Sequence, residues 1–358
     1  MFIDRQTFSG EAVDAIGRID AFRGMWSAAQ WLAPQMLREL RQTTIVSSSG
    51  ASTRIEGAKL SDEEVAELLG NLRMERFTDR DHAEVKGYIE VLTLIFDRFD
   101  DMALTENIIK GLHRDLLKHV EKDQHHHGEY KKLPNTVKAY DAETGKEIGV
   151  VFETTSPAMT PIEMERLVSE TNAAWQENRH HKLIVIAEFI VRFLAIHPFE
   201  DGNGRLARLL SNLLLLKAGY DFVRYSSHEK IVEDNKDRYY LALRQAQGSF
   251  SSNRPDPTPW ISFFLRCLIK QVECLEAQVH IEKRLGALSP AEREIVELAR
   301  QRGRITNQMV VQVYGCNPNT VKAHFQRLTA SGVLLPRGKG KGRSYELARP
   351  LAAEKKEE

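Results

Sequence analysis

The chain has 358 residues, 42% of them hydrophobic and 28% charged, and its 50 basic and 50 acidic residues give a formal net charge of zero. A chain of this length and composition can form the hydrophobic core of a soluble globular protein with two or three domains. The longest apolar run, 183–196, is too short and too polar to cross a bilayer, and the N-terminal residues lack a signal-peptide pattern. We therefore expect a cytoplasmic protein that makes no membrane contact.

The first informative helix is predicted from Leu37 to Glu56, because Gly57 is a typical helix stop and residues 61–64 start another helix. Thr53 and Glu56 fit a capping box. Glu56, however, lies in the last turn, where the helix dipole disfavours a carboxylate, so a guanidinium partner would explain its presence. Further along, a helix is predicted at Glu106–Val120, and β-prone segments around a turn at Asp141–Gly145 predict a hairpin.

A buried helix is predicted from Leu183 to Ile196, and His197 follows at its end. Residues 202–204 are Gly-Asn-Gly, which lets backbone N–H groups converge on an anion at the N-terminus of the next helix, 205–217. Arg205 and Arg208 lie on one face of that helix and can both reach a triphosphate. Asp201 offers an oxygen ligand of the kind that Mg²⁺ prefers. The stretch is thus typical of polyphosphate chemistry.

The C-terminal part is basic, with 13 Lys and Arg against 5 Asp and Glu from 282 to 349. After a linking helix from Trp260 to about Leu285, three helical segments and two strands around residues 337–343 resemble a winged helix-turn-helix. The third helical segment, Pro318–Thr329, is in the recognition position and is a candidate for DNA binding, and protein contact or homodimerisation is the alternative. The helix side chains available for DNA are Asn319, Thr320, Lys322, His324 and Arg327.

The segment from His197 to Arg208 matches H-x-F-x-D/E-G-N-G-R-x-x-R, so the chain resembles the Fic family. The resemblance implies a mainly α fold, a Fic-type helical core with a small β-hairpin flap, that transfers AMP from ATP to a Tyr, Thr or Ser hydroxyl of a target protein or of itself. It implies that His197 is the base and that Asp201 holds Mg²⁺, with Mn²⁺ as the alternative. The phosphates would be bound by Gly202, Asn203, Gly204, Arg205 and Arg208.

The resemblance also gives roles to residues far from this segment. Ser52–Gly57 fits the inhibitory signature S/T-x-x-x-E-G/N, so Ser52 and Glu56 would restrain Arg208. The alternative is that Thr53 and Glu56 form only a capping box. The hairpin would be a flap that docks the target, and its alternative is an edge hairpin without a partner. Flap residues would be Leu133, Pro134, Asn135, Thr136 and Val137. Tyr239 and Tyr240 would contact adenine, and core packing is the alternative for this pair.

These expectations divide the chain into five parts. They are a helical region with the inhibitory helix (1–103), the Fic catalytic core (104–250), a linker helix (251–286), the winged helix-turn-helix (287–350) and a disordered tail (351–358). A second hypothesis makes the protein a DNA-binding transcriptional regulator whose core senses ATP. Only the enzyme requires His197.

Overall fold

The computed structural model describes residues 1–28, 34–70, 79–120, 126–140, 147–286, 288–338 and 340–348, with the backbone alone at 136–140, 147–153, 280–286 and 341. The described part is mainly helical, which confirms the predicted fold class. It forms two compact units, Met1–Gln271 and Val272–Glu358. The division falls inside one long helix, Thr258–Gly286 (α11), within the stretch predicted to link the domains. The predicted tail, 351–358, lies outside the described residues.

The first unit is built from helices joined by short loops and a few short 3-10 turns. In chain order the helices are α1 (Gly10–Ser27), α2 (Pro34–Ile55), α3 (Asp62–Gly70), α4 (Arg80–Arg98), α5 (Glu106–Leu117), α6 (Thr160–Glu177), α7 (Lys182–Ile196), α8 (Asn203–Lys217), α9 (His228–Glu233), α10 (Lys236–Gly248) and the first part of α11. Helix α8 lies at the centre, where it packs against α2, α4, α5 and α7.

Helix α7 is buried along its whole apolar run, which explains why residues 183–196 carry almost no polar side chain. The two charged residues of the run are both satisfied. Glu188 accepts the backbone N–H groups of Phe2 and Ile3 at 2.7 and 2.9 Å, and it forms an ion pair with Arg192 at 3.2 Å. Helix α7 can therefore be fully enclosed without leaving a buried charge unpaired.

Helix α2 packs against α4 and α9 through small and polar side chains. Its C-terminal end is fixed by Arg54, whose guanidinium donates to Glu233 at 2.6 Å and to the Leu60 carbonyl at 2.8 Å. Gly57 then leaves the helix with φ of 107°, a backbone conformation that favours glycine. These contacts fix the position of Glu56 at the end of α2.

A two-stranded hairpin leaves the helical body between α5 and α6. Strands β1 (Thr136–Tyr140) and β2 (Glu147–Glu153) are antiparallel, with Thr136 opposite Glu153 and Val137 opposite Phe152. The predicted turn, 141–145, lies outside the described residues. Helix α10 lies against β2, so the hairpin is anchored on one side to the body of the first unit.

The second unit contains helices α12 (Pro290–Arg302), α13 (Asn307–Tyr314) and α14 (Pro318–Ala330) and strands β3 (Arg304–Ile305), β4 (Leu334–Arg337) and β5 (Ser344–Leu347). The strands form an antiparallel sheet in the order β3-β5-β4. Helices and sheet enclose a small apolar core, in which the Phe325 and Tyr345 rings stack 4.1 Å apart. The three helices and the two strands around the 338–343 loop follow the order that the sequence predicts.

Glu292 joins the first helix of this unit to the last. It completes a capping box with Ser289, and its Oε1 accepts from Arg327 Nε at 2.7 Å, with His324 Nδ1 3.1 Å away. Burial raises the pKa of Glu292, but Arg327, the Ser289 N–H and His324 outweigh burial and lower the pKa to about 2.

Among the described residues, no helix is both long and apolar enough to cross a bilayer.

Candidate functional site

His197 ends helix α7 in a left-handed conformation, with φ of 51° and ψ of 62°. Its N–H still donates to the Phe193 carbonyl at 2.9 Å, so the residue is tied to the helix that it ends. The ring Nδ1 lies 3.3 Å from the Leu194 carbonyl. Because a carbonyl can only accept, Nδ1 carries the proton in this contact and Nε2 keeps a free lone pair. Nε2 of this tautomer can therefore accept a proton.

The imidazole of His197 is held in its neutral form. Burial lowers the pKa of His197 to about 4, and the charge of Lys131 acts in the same direction. The hydrogen bond to Leu194 and the carboxylates of Glu56 and Asp201 oppose this shift without reversing it. A neutral ring can accept a proton at neutral pH, which a protonated one cannot.

The loop after His197 is closed by the Asn203 side chain. Its amide accepts from the Phe199 N–H at 3.0 Å and donates to the Phe199 carbonyl at 2.8 Å. Gly202, with φ of 77°, turns the chain into the first residue of α8. The predicted anion nest therefore has backbone N–H groups at the α8 N-terminus, and the Asn203 side chain closes the loop before it.

His113, on α5, supports this loop and was not predicted from the sequence. Its Nδ1 accepts from the Gly128 N–H at 2.9 Å, so the opposite nitrogen, Nε2, donates to the Asp201 carbonyl at 2.9 Å. The ring also stacks on Phe199 at 3.8 Å and 7°. Burial lowers the pKa of His113 to about 4, in keeping with a neutral ring that bridges two backbone groups. A lone histidine among apolar helix residues was its only sequence signal.

The two arginines of α8 are both buried, but they face different partners. Arg205 lies 2.7 Å from Glu84 and 3.0 Å from Asp201, and Arg80 joins the same cluster through both carboxylates. Glu84 and Arg80 lie on α4, and the sequence analysis did not single them out. Arg208 instead faces the end of α2. The cluster holds Arg205 beside Asp201 at the start of α8.

Arg208 is hydrogen-bonded to the predicted inhibitory segment, Ser52–Gly57. Its Nε donates to Ser52 Oγ at 2.8 Å, and its Nη2 donates to the Ser52 carbonyl at 2.9 Å and to Glu56 Oε1 at 2.8 Å. Nη1 is buried and has no hydrogen-bond partner among the described residues. The Arg208 side chain is 4% exposed and that of Glu56 is 35% exposed, so the pair opens to solvent on the Glu56 side.

Glu56 also lies directly against the first turn of α8. A methyl group at Gly204 would collide with Glu56 Oε1, so only glycine leaves room for the carboxylate there. Burial raises the pKa of Glu56, but Arg208 outweighs burial, and the pKa lies below its usual value. Burial lowers the pKa of Arg208, but the negative charge of Glu56 and its hydrogen bond oppose burial, and the pKa of Arg208 is raised on balance. An ionised carboxylate therefore occupies the N-terminus of α8, where an anion is favoured.

Asp201 fits a divalent metal ion in chemistry and exposure. Its side chain is 52% exposed, and its pKa lies below the usual value because Arg205, the Gly202 N–H and Arg80 together outweigh burial. Oδ1 accepts from Gly202 N and Arg205, and Oδ2 accepts from Arg80 Nη2 at 2.9 Å. Since Arg80 is itself 58% exposed, its surface ion pair can yield Oδ2 to a cation.

The predicted flap residues differ in their environments. Leu133 is 70% exposed and Pro134 is also exposed, while Asn135 turns inward and donates to the Phe199 carbonyl at 2.8 Å. Thr136 and Val137 begin β1, and their side chains lie outside the described part of the structure. The base of the hairpin is thus bonded to the loop that follows His197.

The two predicted adenine contacts differ in burial. Tyr239 is 3% exposed, packs against Trp260 and Phe263 and interacts with Arg208. Tyr240, next to it, is 38% exposed and meets the Tyr239 ring edge-on at 5.1 Å. Tyr239 is therefore packed in the core, and Tyr240 alone of the two is partly exposed.

Part of the chain is similar in sequence to known proteins. The Fic/DOC family model matches residues 103–215. A protein adenylyltransferase Fic from Nematostella vectensis is 31% identical over 137 residues, 37% of this chain and 29% of that protein. Its namesake from Drosophila mojavensis is 33% identical over 117 residues, 33% of this chain and 21% of that protein. The chain therefore spans less than a third of these curated relatives.

Solved structures share the fold. A Fic family protein from Desulfovibrio desulfuricans G20 has a TM-score of 0.60 at 19% identity and covers 96% of this chain and 97% of its own. A Fic domain containing signaling protein from Bacteroides thetaiotaomicron VPI-5482 has a TM-score of 0.57 at 27% identity, over 72% of this chain and 95% of its own. Residues 103–215 thus match the Fic/DOC family, and the mainly helical fold is one that Fic proteins also have.

Proposed function

We propose that the protein transfers AMP from ATP to a Tyr, Thr or Ser hydroxyl of a target protein or of itself. The observation that carries the proposal is a neutral His197 fixed beside the α8 N-terminus, with two buried arginines on that helix. The names of the curated relatives support the same reaction. A general base, an anion site and cationic side chains are what nucleotidyl transfer demands.

In this reaction the target hydroxyl attacks the α-phosphorus of ATP. His197 Nε2 takes the hydroxyl proton, the new bond joins the target oxygen to the α-phosphorus, and the bond to the β-phosphate oxygen breaks to release pyrophosphate. Because Nδ1 is already bound to the Leu194 carbonyl, the proton can be accepted only at Nε2. The ring needs no rearrangement to receive it.

The phosphates would bind to the backbone N–H groups of residues 202–204 and to Arg205 and Arg208. Asp201 would hold Mg²⁺, or Mn²⁺ in its place, and the bound ion would neutralise charge on the phosphates. Arg205 already lies 3.0 Å from Asp201, so the two can act on neighbouring phosphate oxygens. The exposed Tyr240 ring is the candidate adenine contact, and Leu133–Val137 are the candidate target-docking residues.

Glu56 would keep the enzyme autoinhibited. Its carboxylate binds the guanidinium of Arg208 and fills the space beside Gly204. The terminal phosphate of ATP would need both that guanidinium and that space. Ser52 would hold Arg208 in the same direction through its hydroxyl and carbonyl. Productive ATP binding would therefore require that Glu56 release Arg208.

The experiment is label transfer with Mg²⁺ and ATP labelled at either the α- or the γ-phosphate. The Glu56→Gly protein should become labelled, or label a protein in a lysate, from α-labelled ATP alone, and Glu56→Gly with His197→Ala should not. Label from γ-labelled ATP would mean phosphoryl transfer. Wild-type and Glu56→Gly proteins that both stay unlabelled, while still binding ATP, would favour a nucleotide sensor over an enzyme.

The second unit is the basis of the alternative function, an ATP-sensing DNA-binding regulator. The first turns of α14 expose Asn319, Thr320 and Lys322, whereas His324 and Arg327 further along are paired with Glu292. A recognition helix contacts bases with its N-terminal part, so this distribution favours DNA. We propose that Lys322→Ala weakens a DNA gel shift more than Arg327→Ala does. A shift absent at low salt, with dimerisation in its place, would assign this surface to a homodimer.

A further inference from the structure

We propose that Lys131 is the positioning residue of the base: it binds the carbonyls of Ile196 and Pro198, the two neighbours of His197, and joins them to the two ends of the hairpin. The inference deepens the proposed adenylyl transfer, and only its kinetic test rests on that function. Lys131 is 3% exposed, whereas Lys132, its neighbour, is exposed. Two adjacent lysines thus have opposite environments.

The first observation concerns the backbone around His197. The Lys131 N–H donates to the Pro198 carbonyl at 2.9 Å, and its Nζ donates to the Ile196 carbonyl at 3.0 Å. One residue therefore holds the carbonyls of the two residues that flank His197. A non-glycine residue at φ of 51° persists only where its surroundings enforce that conformation. Lys131 supplies two of the contacts that do so.

The second observation concerns the hairpin. The same Nζ donates to Asn135 Oδ1 at 2.7 Å and to Thr154 Oγ1 at 2.8 Å. Asn135 directly precedes β1 and Thr154 directly follows β2, so the two ends of the hairpin meet at this ammonium group. Its three protons are all used, which explains how the charge is buried. A target strand docked on the hairpin would act on the same group that fixes the base.

The third observation is electrostatic. Burial lowers the pKa of Lys131 to about 8, which leaves it mostly protonated at neutral pH. The charged groups that act on His197 are Lys131, which lowers its pKa, and Glu56 and Asp201, which raise it. Loss of the Lys131 charge would therefore raise the pKa of His197, whereas a purely steric role would leave that pKa unchanged.

The test compares Lys131→Met and Lys131→Gln, which remove the charge, with Lys131→Arg, which keeps it, and with Lys132→Met as the matched exposed control. The pKa of His197 is followed by NMR of isotope-labelled histidine, a readout that needs no activity. We expect the first two variants to raise it by about one unit, since a nearby charge shifts a pKa by that order. Lys131→Arg and Lys132→Met should titrate like wild type.

The kinetic test uses the same substitutions in Glu56→Gly protein. Lys131→Met should lower kcat for AMP transfer by about 10–100-fold, the order expected when a reacting group is misplaced, with little change in KM for ATP. A Lys131→Met protein that titrates like Lys132→Met, or whose kcat falls only as its Tm falls, overturns the proposal. If Lys131→Met fails to fold, Lys131→Gln gives the same decision. Label transfer absent even from Glu56→Gly refutes the proposed function instead, and the His197 titration still tests Lys131.

Discussion

Replacement of Glu56 tests how strongly the end of α2 restrains Arg208. The carboxylate contributes one charge-assisted hydrogen bond of 2.8 Å, and Ser52 contributes two more contacts that survive the substitution. Glu56→Gly therefore frees Nη2 for a phosphate oxygen while Ser52 still orients the guanidinium. It also clears the space beside Gly204. Glu56→Gln removes the charge but leaves a side chain of the same size.

A charge-assisted hydrogen bond contributes about 1.5–3 kcal/mol. The Glu56 side chain is 35% exposed, and solvent screening reduces this contribution to about 1–2 kcal/mol. Since 1.4 kcal/mol corresponds to a factor of ten, release of Arg208 should raise the rate of AMP transfer by roughly 5–30-fold in Glu56→Gly. Repulsion between the carboxylate and the terminal phosphate, which disappears with it, makes this range a lower bound.

The assay measures initial rates of label transfer from α-labelled ATP at fixed ATP and Mg²⁺ for wild type, Glu56→Gln, Glu56→Gly and Ser52→Ala. We expect Glu56→Gly to be fastest and Glu56→Gln to lie between it and wild type. Ser52→Ala should change the rate least, because the Ser52 carbonyl still accepts from Arg208. Equal rates for Glu56→Gly and wild type would refute the assignment of Glu56 as an inhibitory residue.

Three further predictions concern the surroundings of the site and the second unit. His113→Asn keeps an acceptor for the Gly128 N–H but loses the donor to the Asp201 carbonyl, whereas His113→Gln keeps that donor. We expect His113→Asn to raise the Mg²⁺ concentration for half-maximal transfer more than His113→Gln does. Equal concentrations would contradict the role of His113 as a bridge between Gly128 and Asp201. Arg80→Ala should lower that concentration by at most about fivefold in a metal titration, because it frees one oxygen of Asp201 from a surface ion pair; a higher requirement would speak against metal at this carboxylate. The folded-state pKa of Glu292, about 2, lies below its usual value of 4.5, so its contribution to stability is present above about pH 4.5 and is lost as the pH falls towards 2. The amide protection factors of α12 and α14, which correct for the pH dependence of intrinsic exchange, should fall over that window in wild type but not in Glu292→Gln.

The sequence predicted the residues that act locally. The spacing from His197 to Arg208 is set by one helix end, one loop and one helix start, and each has a recognisable pattern. Gly57 and Gly202 were informative for the same reason, since both adopt positive φ where the chain must turn. Even Glu56 could be linked to a guanidinium, because a carboxylate at the end of a helix needs an explanation.

The residues that the sequence did not reveal act over long separations. His113 contacts Asp201 across 88 positions, and Lys131 contacts Ile196 across 65. Lys131 and Lys132 are adjacent residues of the same type, and only the fold decides which ammonium group is buried. Asn203 was predicted to bind phosphate as part of the Gly-Asn-Gly backbone, and the sequence did not reveal that its side chain closes the loop through Phe199.

The most direct test of the account is mass spectrometry of Glu56→Gly protein after incubation with ATP and Mg²⁺, combined with measurement of the released pyrophosphate. The account predicts AMP attached to a hydroxyl side chain of the protein or of a target, one pyrophosphate released for each AMP attached, and neither product when His197 is replaced by Ala. AMP attachment that persists without His197, or ATP consumption without any AMP attached, would contradict the role of this histidine as the base.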